Sequence, residues 1–308
     1  MDHVVIVGAG AMGCLFAARL AEAGRNVTLV DVDRDRIETL SKDGILLHDA
    51  NGERRIKVGA TLAPQVRECD LVLFFTKGMH TAAAAQSVAH LASTGCYALT
   101  LQNGLGNDEA IATAFPAERI LVGVTDHPAD FQPPNRVHAT GKGHISIGAL
   151  GGAPDAAVTA VAELLADAGL NAAADSAIDV AIWQKVAFNA ALNPLASVTG
   201  FTVGGMDCAE GRRIARSIVT EVVSVATALD IALDADTIWQ KVEYALANHR
   251  GHKASMLQDV EAGREPEISS INGAIVRLAA ANGLSVPVTS TLADLVGMIA
   301  SSGRKGTD

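Results

Sequence analysis

Apolar and polar positions follow two different rhythms along this chain. In the first half, short apolar runs recur between stretches of helical spacing. Residues 3–7 (HVVIV), 27–30 (VTLV), 71–75 (LVLFF), 97–101 (YALTL) and 120–124 (ILVGV) read as buried strands. Between them, residues 11–23, a polar segment running through Leu40, and residues 82–91 and 108–115 carry helical spacing. Gly24 stops the first of these helices. Residues 137–148 read as a turn-rich pair of strands and 155–168 as an amphipathic helix. Such alternation predicts an α/β domain, a doubly wound parallel sheet with helices on both faces.

After about Asp175 the strand signals stop. Residues 180–198, 212–228, 236–248, 266–281 and 290–300 all carry helical spacing, so an all-α domain is expected to follow. We place the boundary at 175/176, giving a dinucleotide-binding domain over 1–175 and a helical substrate domain over 176–308. No Pro/Gly/Ser linker separates them, and the polar tail 301–308 is expected to fray.

Composition narrows the function classes. The chain has 308 residues, 49% of them apolar, which is ample for a buried core. Lys and Arg number 24 against 34 Asp and Glu, a net charge of −10, which argues against a nucleic-acid partner. Cys14, Cys69, Cys96 and Cys208 form no CxxC pair and have no His at metal-ligand spacing. They are expected to be small buried apolar side chains in a reducing cytoplasm, with no disulfide and no metal. The start of the chain carries no basic secretory signal. Residues 81–107 lack Asp, Glu, Lys and Arg, but Gln86, His90, Gln102 and Asn103 rule them out as a membrane span.

The first strand runs into Gly8-Ala9-Gly10-Ala11-Met12-Gly13, which opens the first helix. In a GxGxxG loop of this context the first glycine permits the tight turn and the second lets the backbone approach a pyrophosphate. The third lets helix and strand pack closely. The N–H groups of Ala11, Met12 and Gly13 then face the phosphates at the positive end of the helix. Asp31, at the end of the second strand, suits an adenosine ribose and repels a 2′-phosphate, which favours NAD(H). Arg34 and Arg36 follow closely enough to hold a phosphate, so NADP(H) stays open. The plain alternative for Asp31 is a helix N-cap, since Asp33 and Asp35 lie nearby.

In the helical half, Lys185, Asn189 and Asn193 fall within an arc of roughly 80° on one helix face. Asparagine is a poor helix former, so two of them in one stripe need a reason. The stripe either faces water or forms a polar site for an oxyanion or carbonyl substrate, ending in an ammonium. Farther on, Pro266 suits the first position of a helix and places Glu267 in its first turn, where a carboxylate complements the dipole. Ser255 alone passes for a helix cap. No GxSxG string or defensible Ser/His/Asp order is present, so a hydrolase is rejected.

Together these pieces resemble the ketopantoate reductase (2-dehydropantoate 2-reductase) family. The matching strings are GAGAMG at 8–13, FFTK at 74–77, LQNGLGN at 101–107 and W-x-K-x-x-x-N-x-x-x-N-P at 183–194. They continue with ASMLQD at 254–259, GREPEI at 263–268 and ING at 271–273, in the family's order across nearly the whole chain. The resemblance implies a Rossmann domain followed by a helical domain, and NAD(P)H-dependent reduction of a 2-oxo acid in pantothenate biosynthesis. It places the catalytic lysine on Lys185 and the active-site glutamate on Glu267. Substrate contacts fall on Asn103, Asn189, Asn193 and Ser255, and a cofactor-side lysine on Lys77. Asn103 and Glu267 also fall on the cofactor side.

The residue chemistry agrees with this assignment. Hydride transfer to a ketone leaves charge on its oxygen, which Lys185 can stabilise and protonate. Three departures stand out: His80 in place of the usual Gln, Ser269 in place of the usual Asp, and Asp31 in place of a basic signal for NADP. They leave room for a related D-2-hydroxyacid dehydrogenase acting on another 2-oxo acid. A dinucleotide-binding sensor without turnover is a third reading, and Lys185 speaks against it. A small 2-oxo acid is the expected partner, and a homodimer through the helical half is the expected assembly.

Overall fold

The computed structural model describes residues 1–150 and 154–303 and divides into two units. One comprises 1–102 and 107–178, the other 103–106 and 179–308. The expected frayed tail falls largely on 304–308, outside the described residues.

The first unit opens with β1 (His3–Val7), α1 (Ala11–Glu22), β2 (Asn26–Val30) and α2 (Arg34–Asp43). Next come β3 (Ile45–Asp49), β4 (Gly52–Ile56), β5 (Gly59–Thr61), β6 (Leu71–Phe74), α3 (Thr81–Ser87) and β7 (Tyr97–Thr100). The unit continues with α4 (Asn107–Ala112), β8 (Ile120–Thr125), β9 (Asp130–Gln132), β10 (Arg136–His138), β11 (Ile145–Gly148), α5 (Asp155–Asp167) and β12 (Ala172–Ala174). The main sheet has eight strands in the order β12-β11-β8-β7-β6-β1-β2-β5. It is parallel except where β11 runs against β8. The doubly wound α/β expectation therefore holds, and the apolar runs form its centre: β1 and β6 are buried nearly end to end.

A second, four-stranded sheet, β4-β3-β10-β9, is a difference from expectation. The stretch 137–148 does not form a strand pair. Its first part, β10, joins β3 in this sheet, while β11 joins β8 in the main one. A buried carboxylate ties the small sheet to α1: the Asp49 side chain is 2% exposed and pairs with Arg54 at 2.8 Å and Arg19 at 2.6 Å. Arg54 also pairs with Glu22 of α1, at 2.9 Å. The Arg54 hydrogen bonds, with help from the Asn51 amide and the Arg19 charge, hold the Asp49 carboxyl well below the usual carboxylate range.

The second unit is helical. It holds α6 (Ile178–Thr199, less its first residue), α7 (Ala209–Ala228), α8 (Ala235–Asn248), α9 (Ser255–Glu261), α10 (Asn272–Ala281) and α11 (Pro287–Gly303). Its core gathers Trp183, Val186, Ala190 and Leu192 of α6 with Ile218 and Val222 of α7 and Ile275 of α10. The expected continuous helix over 266–281 is broken. Pro266 caps a single 3-10 turn, Glu267–Ser269, and α10 begins afresh at Asn272.

All four cysteines are free, and Cys14, Cys69 and Cys96 are buried as expected. Burial pushes the Cys14 thiol up to about 12, which leaves it protonated and inert. Cys208 corrects the expectation: it is exposed, and its sulfur accepts the Gly211 N–H at 3.4 Å as the cap of α7. Among the described residues no helix is long and apolar enough to cross a membrane, and no group of three His, Cys, Asp or Glu is placed to hold a metal.

Candidate active site

In the first unit, the glycine loop, Asp31 and Lys77 gather where β1, β2 and β6 end. Gly8 turns the chain at φ +104, a conformation that favours glycine. A Cβ on it would lie 2.8 Å from the Thr76 nitrogen, so the loop rests directly on the segment leading to Lys77. A Cβ on Gly13 would lie 1.9 Å from the Gly8 oxygen, so α1 packs against the loop only with glycine there. Gly10 differs: a Cβ there would meet nothing within 4 Å. Gly10 is also the N-cap of α1, and no side chain caps the helix, so the first amides of Ala11, Met12 and Gly13 have no capping side chain.

The Asp31 carboxylate faces this loop. Its Oδ2 accepts the Ala9 N–H at 2.8 Å, and its Oδ1 accepts those of Val32 at 2.8 Å and Asp33 at 3.0 Å. Arg36 pairs with it at 3.7 Å. Asp31 is not the cap of α2; Asp33 is, accepting from Asp35 and Arg36. Lys77 is half-buried at the start of a 3-10 turn, Gly78–His80, and His80 is exposed.

The loop after β6 is pinned by a polar network that the sequence reading missed. Gln102 Nε2 donates to the Thr76 carbonyl at 2.6 Å and to the Thr81 hydroxyl at 2.8 Å. Thr81 in turn donates to Asn107 Oδ1 at 2.9 Å. The partners are 21 to 26 residues apart, and only an amide in an otherwise apolar strand end hinted at them.

In the second unit, Lys185, Asn189 and Asn193 lie along α6, interspersed with the fully buried Ala187, Ala190 and Ala191. Lys185 and Asn189 are half-buried and Asn193 is 6% exposed, so the stripe does not simply face water. One further segment is stitched to this helix, and a second is stitched to that segment's neighbouring turn. Asn272 Nδ2 donates to the Ala190 carbonyl at 3.1 Å. The Leu105 N–H donates to the Ser270 carbonyl at 2.8 Å, which fastens the 103–106 segment, and Asn103 with it, to the turn carrying Glu267. That approach requires Gly104, whose Cβ would lie 2.4 Å from the Ser270 oxygen.

Glu267 is 9% exposed. Ser269 is exposed, and its carbonyl accepts from Arg277 at 3.1 Å. Lys185, Asn189, Asn193, Asn103 and Glu267 thus belong to one connected group of elements. Ser255 is exposed at the first position of α9, whose cap is Ala254 and not Ser255, and no hydrogen bond among the described residues joins it to that group.

Such a group offers an ammonium, neutral amides and a buried carboxylate, a set suited to a small anion bearing a carbonyl. Known proteins resemble the chain over nearly its whole length. Residues 4–152 match the family Ketopantoate reductase PanE/ApbA, and 177–300 match Ketopantoate reductase PanE/ApbA C terminal. A 2-dehydropantoate 2-reductase of Halobacterium salinarum is 33% identical over 297 residues, covering 96% of this chain and 97% of that one. A D-mandelate dehydrogenase solved with NADH and anilino(oxo)acetate superposes with a TM-score of 0.94 at 28% identity, covering 98% of this chain and 99% of that one. A solved 2-dehydropantoate 2-reductase of Geobacter metallireducens gives 0.90 at 30% identity, covering 96% and 99%.

Proposed function

The chain belongs to the ketopantoate reductase family, and on that premise we propose that it reduces 2-dehydropantoate to pantoate with a reduced nicotinamide dinucleotide. The observation that carries the reading is the half-buried to buried stripe Lys185, Asn189 and Asn193, joined through Asn272 to the segment of Glu267.

The first unit fits a dinucleotide. Gly10 leaves open space beside an uncapped helix start, which a pyrophosphate can fill. Gly8, Gly10, Ala11, Met12 and Gly13 hold the phosphates, and Lys77, Asn103 and Glu267 serve the cofactor side. Asp31 uses three of its acceptor sites on backbone amides and keeps capacity for a ribose hydroxyl. Arg36 is already engaged by Asp31 and Asp33, at 3.7 and 3.8 Å, which supports NADH over NADPH. When bound, the reduced nicotinamide supplies the hydride.

The chain's own residues supply the rest. Lys185 donates a hydrogen bond to the keto oxygen and passes it a proton as negative charge collects there. Asn103, Asn189, Asn193 and Ser255 bind the carboxylate and hydroxyl groups without adding net charge. Glu267 orients the Lys185 ammonium or the ribose. In this reading residues 1–175 form the dinucleotide-binding domain and 176–308 the substrate domain, with Asn103 also reaching the acid and Glu267 the cofactor. The enzyme works in the cytoplasm, with neither nucleic acid nor membrane as partner, and pairs as a homodimer through its helical unit.

A second reading, reduction of an aryl 2-oxo acid, is favoured by the likeness to D-mandelate dehydrogenase. A panel of ketopantoate, pyruvate and phenylglyoxylate, each with NADH and NADPH, tests both. Ketopantoate is expected to have the highest kcat/KM; a higher value for phenylglyoxylate selects the second reading.

A further inference from the structure

Pro194 lies inside α6, directly after Asn193. Lacking an N–H, a proline cannot bond the carbonyl four residues earlier in its helix. In α6 that carbonyl belongs to Ala190, whose residue is 0% exposed, so solvent is a poor substitute. The missing donor comes from elsewhere in the chain: Asn272 Nδ2 reaches the Ala190 carbonyl at 3.1 Å. Asn272 is itself 0% exposed and opens α10, immediately after the turn that carries Glu267.

This bond carries a cost of its own. The Asn272 Oδ1 is buried with no hydrogen-bond partner among the described residues. An apolar side chain would avoid that unmet acceptor. The bond it makes falls at Ala190, between Asn189 and Asn193 of the polar stripe.

We propose that Asn272 is a positioning residue: its amide replaces the N–H that Pro194 lacks, and so fixes α6, with Lys185, Asn189 and Asn193, against the turn bearing Glu267. This rests on the reading that those four side chains hold and protonate the 2-oxo acid. Pro194 frees a carbonyl in the middle of the substrate helix, and Asn272 uses it to set the helix's register against a second segment.

A double-mutant cycle tests the proposal on the full chain, using Asn272→Leu, Pro194→Ala and the pair. The readouts are kcat, KM for NADH, and the thermal unfolding midpoint. Asn272→Leu is expected to lower kcat at least about tenfold well below its unfolding midpoint, with KM for NADH changed less than about twofold. In the Pro194→Ala background residue 194 donates to Ala190 again. There Asn272→Leu is expected to lower kcat less than about threefold, and its effect on the midpoint shrinks as well. Equal losses in the two backgrounds overturn the proposal, and so does an unchanged kcat in the single variant.

Should Asn272→Leu be insoluble, Asn272→Ala removes the donor without adding bulk or charge and takes its place in the cycle. A variant that folds only in the Pro194→Ala background supports the proposal; one that folds in neither overturns it. The midpoint cycle does not depend on turnover. Coupling there, with a fully active Lys185→Ala, retains the Asn272–Pro194 link and removes the reading of the site. An inactive Lys185→Ala without coupling does the reverse.

Discussion

Asp31 Oδ2 accepts the Ala9 N–H at 2.8 Å, so the acid at the end of β2 and the glycine loop at the end of β1 form one hydrogen-bonded unit. In the proposed function this carboxylate takes the adenosine ribose, and a 2′-phosphate would meet its charge. We expect kcat/KM with NADH to exceed that with NADPH at least about tenfold, equivalent to about 1.4 kcal/mol. Asp31→Ala should narrow the ratio, chiefly by raising KM for NADH. A native enzyme that prefers NADPH by a similar factor would contradict the assignment.

Gly10 and Gly13 of the loop make opposite demands. Gly10 has φ −83 and open space at its Cβ, so Gly10→Ala should fold with an unfolding midpoint close to that of the native chain. Its methyl would occupy the space assigned to the pyrophosphate and weaken NADH binding about tenfold or more. Gly13→Ala places a Cβ 1.9 Å from the Gly8 oxygen and should destabilise the protein whether or not dinucleotide is present. Calorimetry with and without NADH separates the two. Unchanged NADH affinity in Gly10→Ala would remove the loop from the cofactor site.

Asp49 carries a pH signature. Its carboxyl is depressed by Arg54, so its contribution to stability is complete above the unfolded carboxylate value near pH 3.9. That contribution is lost as pH falls through the still lower folded value. Asp49→Asn should therefore cost about 2–3 kcal/mol at neutral pH, by leaving Arg54 and Arg19 without their buried partner. In unfolding scans the gap between native and variant should be constant above about pH 5 and narrow below about pH 4. A gap that widens in acid would mean that Asp49 is not the paired carboxylate described.

Glu267, 9% exposed in its 3-10 turn, should matter more for turnover than for folding. Glu267→Gln is expected to lower kcat about tenfold or more while the unfolding midpoint barely moves. Unaltered kinetics would return the residue to being a charge at a helix start.

Much of this architecture was legible in the sequence because the central strands are buried on both faces. HVVIV and LVLF have no polar face to hide, so their apolar runs mark the sheet directly. The small sheet was not legible. GERRI in β4 has no buried residue, and DFQ in β9 is just as polar, so neither carries a strand signal. The pairing of β10 with β3 joins His138 to His48, far apart in the chain, and no local pattern announces it. Likewise three acids, Asp31, Asp33 and Asp35, competed for one helix start. Only the placement of α2 gave the cap to Asp33 and released Asp31 toward the loop. The polar stripe on α6 could be read from its spacing. Its fastening through Asn272 could not, because the cue was a proline whose consequence is satisfied by a residue in another helix.

The most direct measurement is steady-state reduction of ketopantoate by NADH in the native chain and in Lys185→Ala, with NADH affinity measured alongside. The account predicts robust native turnover, a kcat lower by about 10²–10⁴-fold in the variant, and an NADH dissociation constant that hardly changes. A Lys185→Ala enzyme that reduces ketopantoate as fast as the native one, or that loses NADH binding to the same degree as turnover, would contradict it.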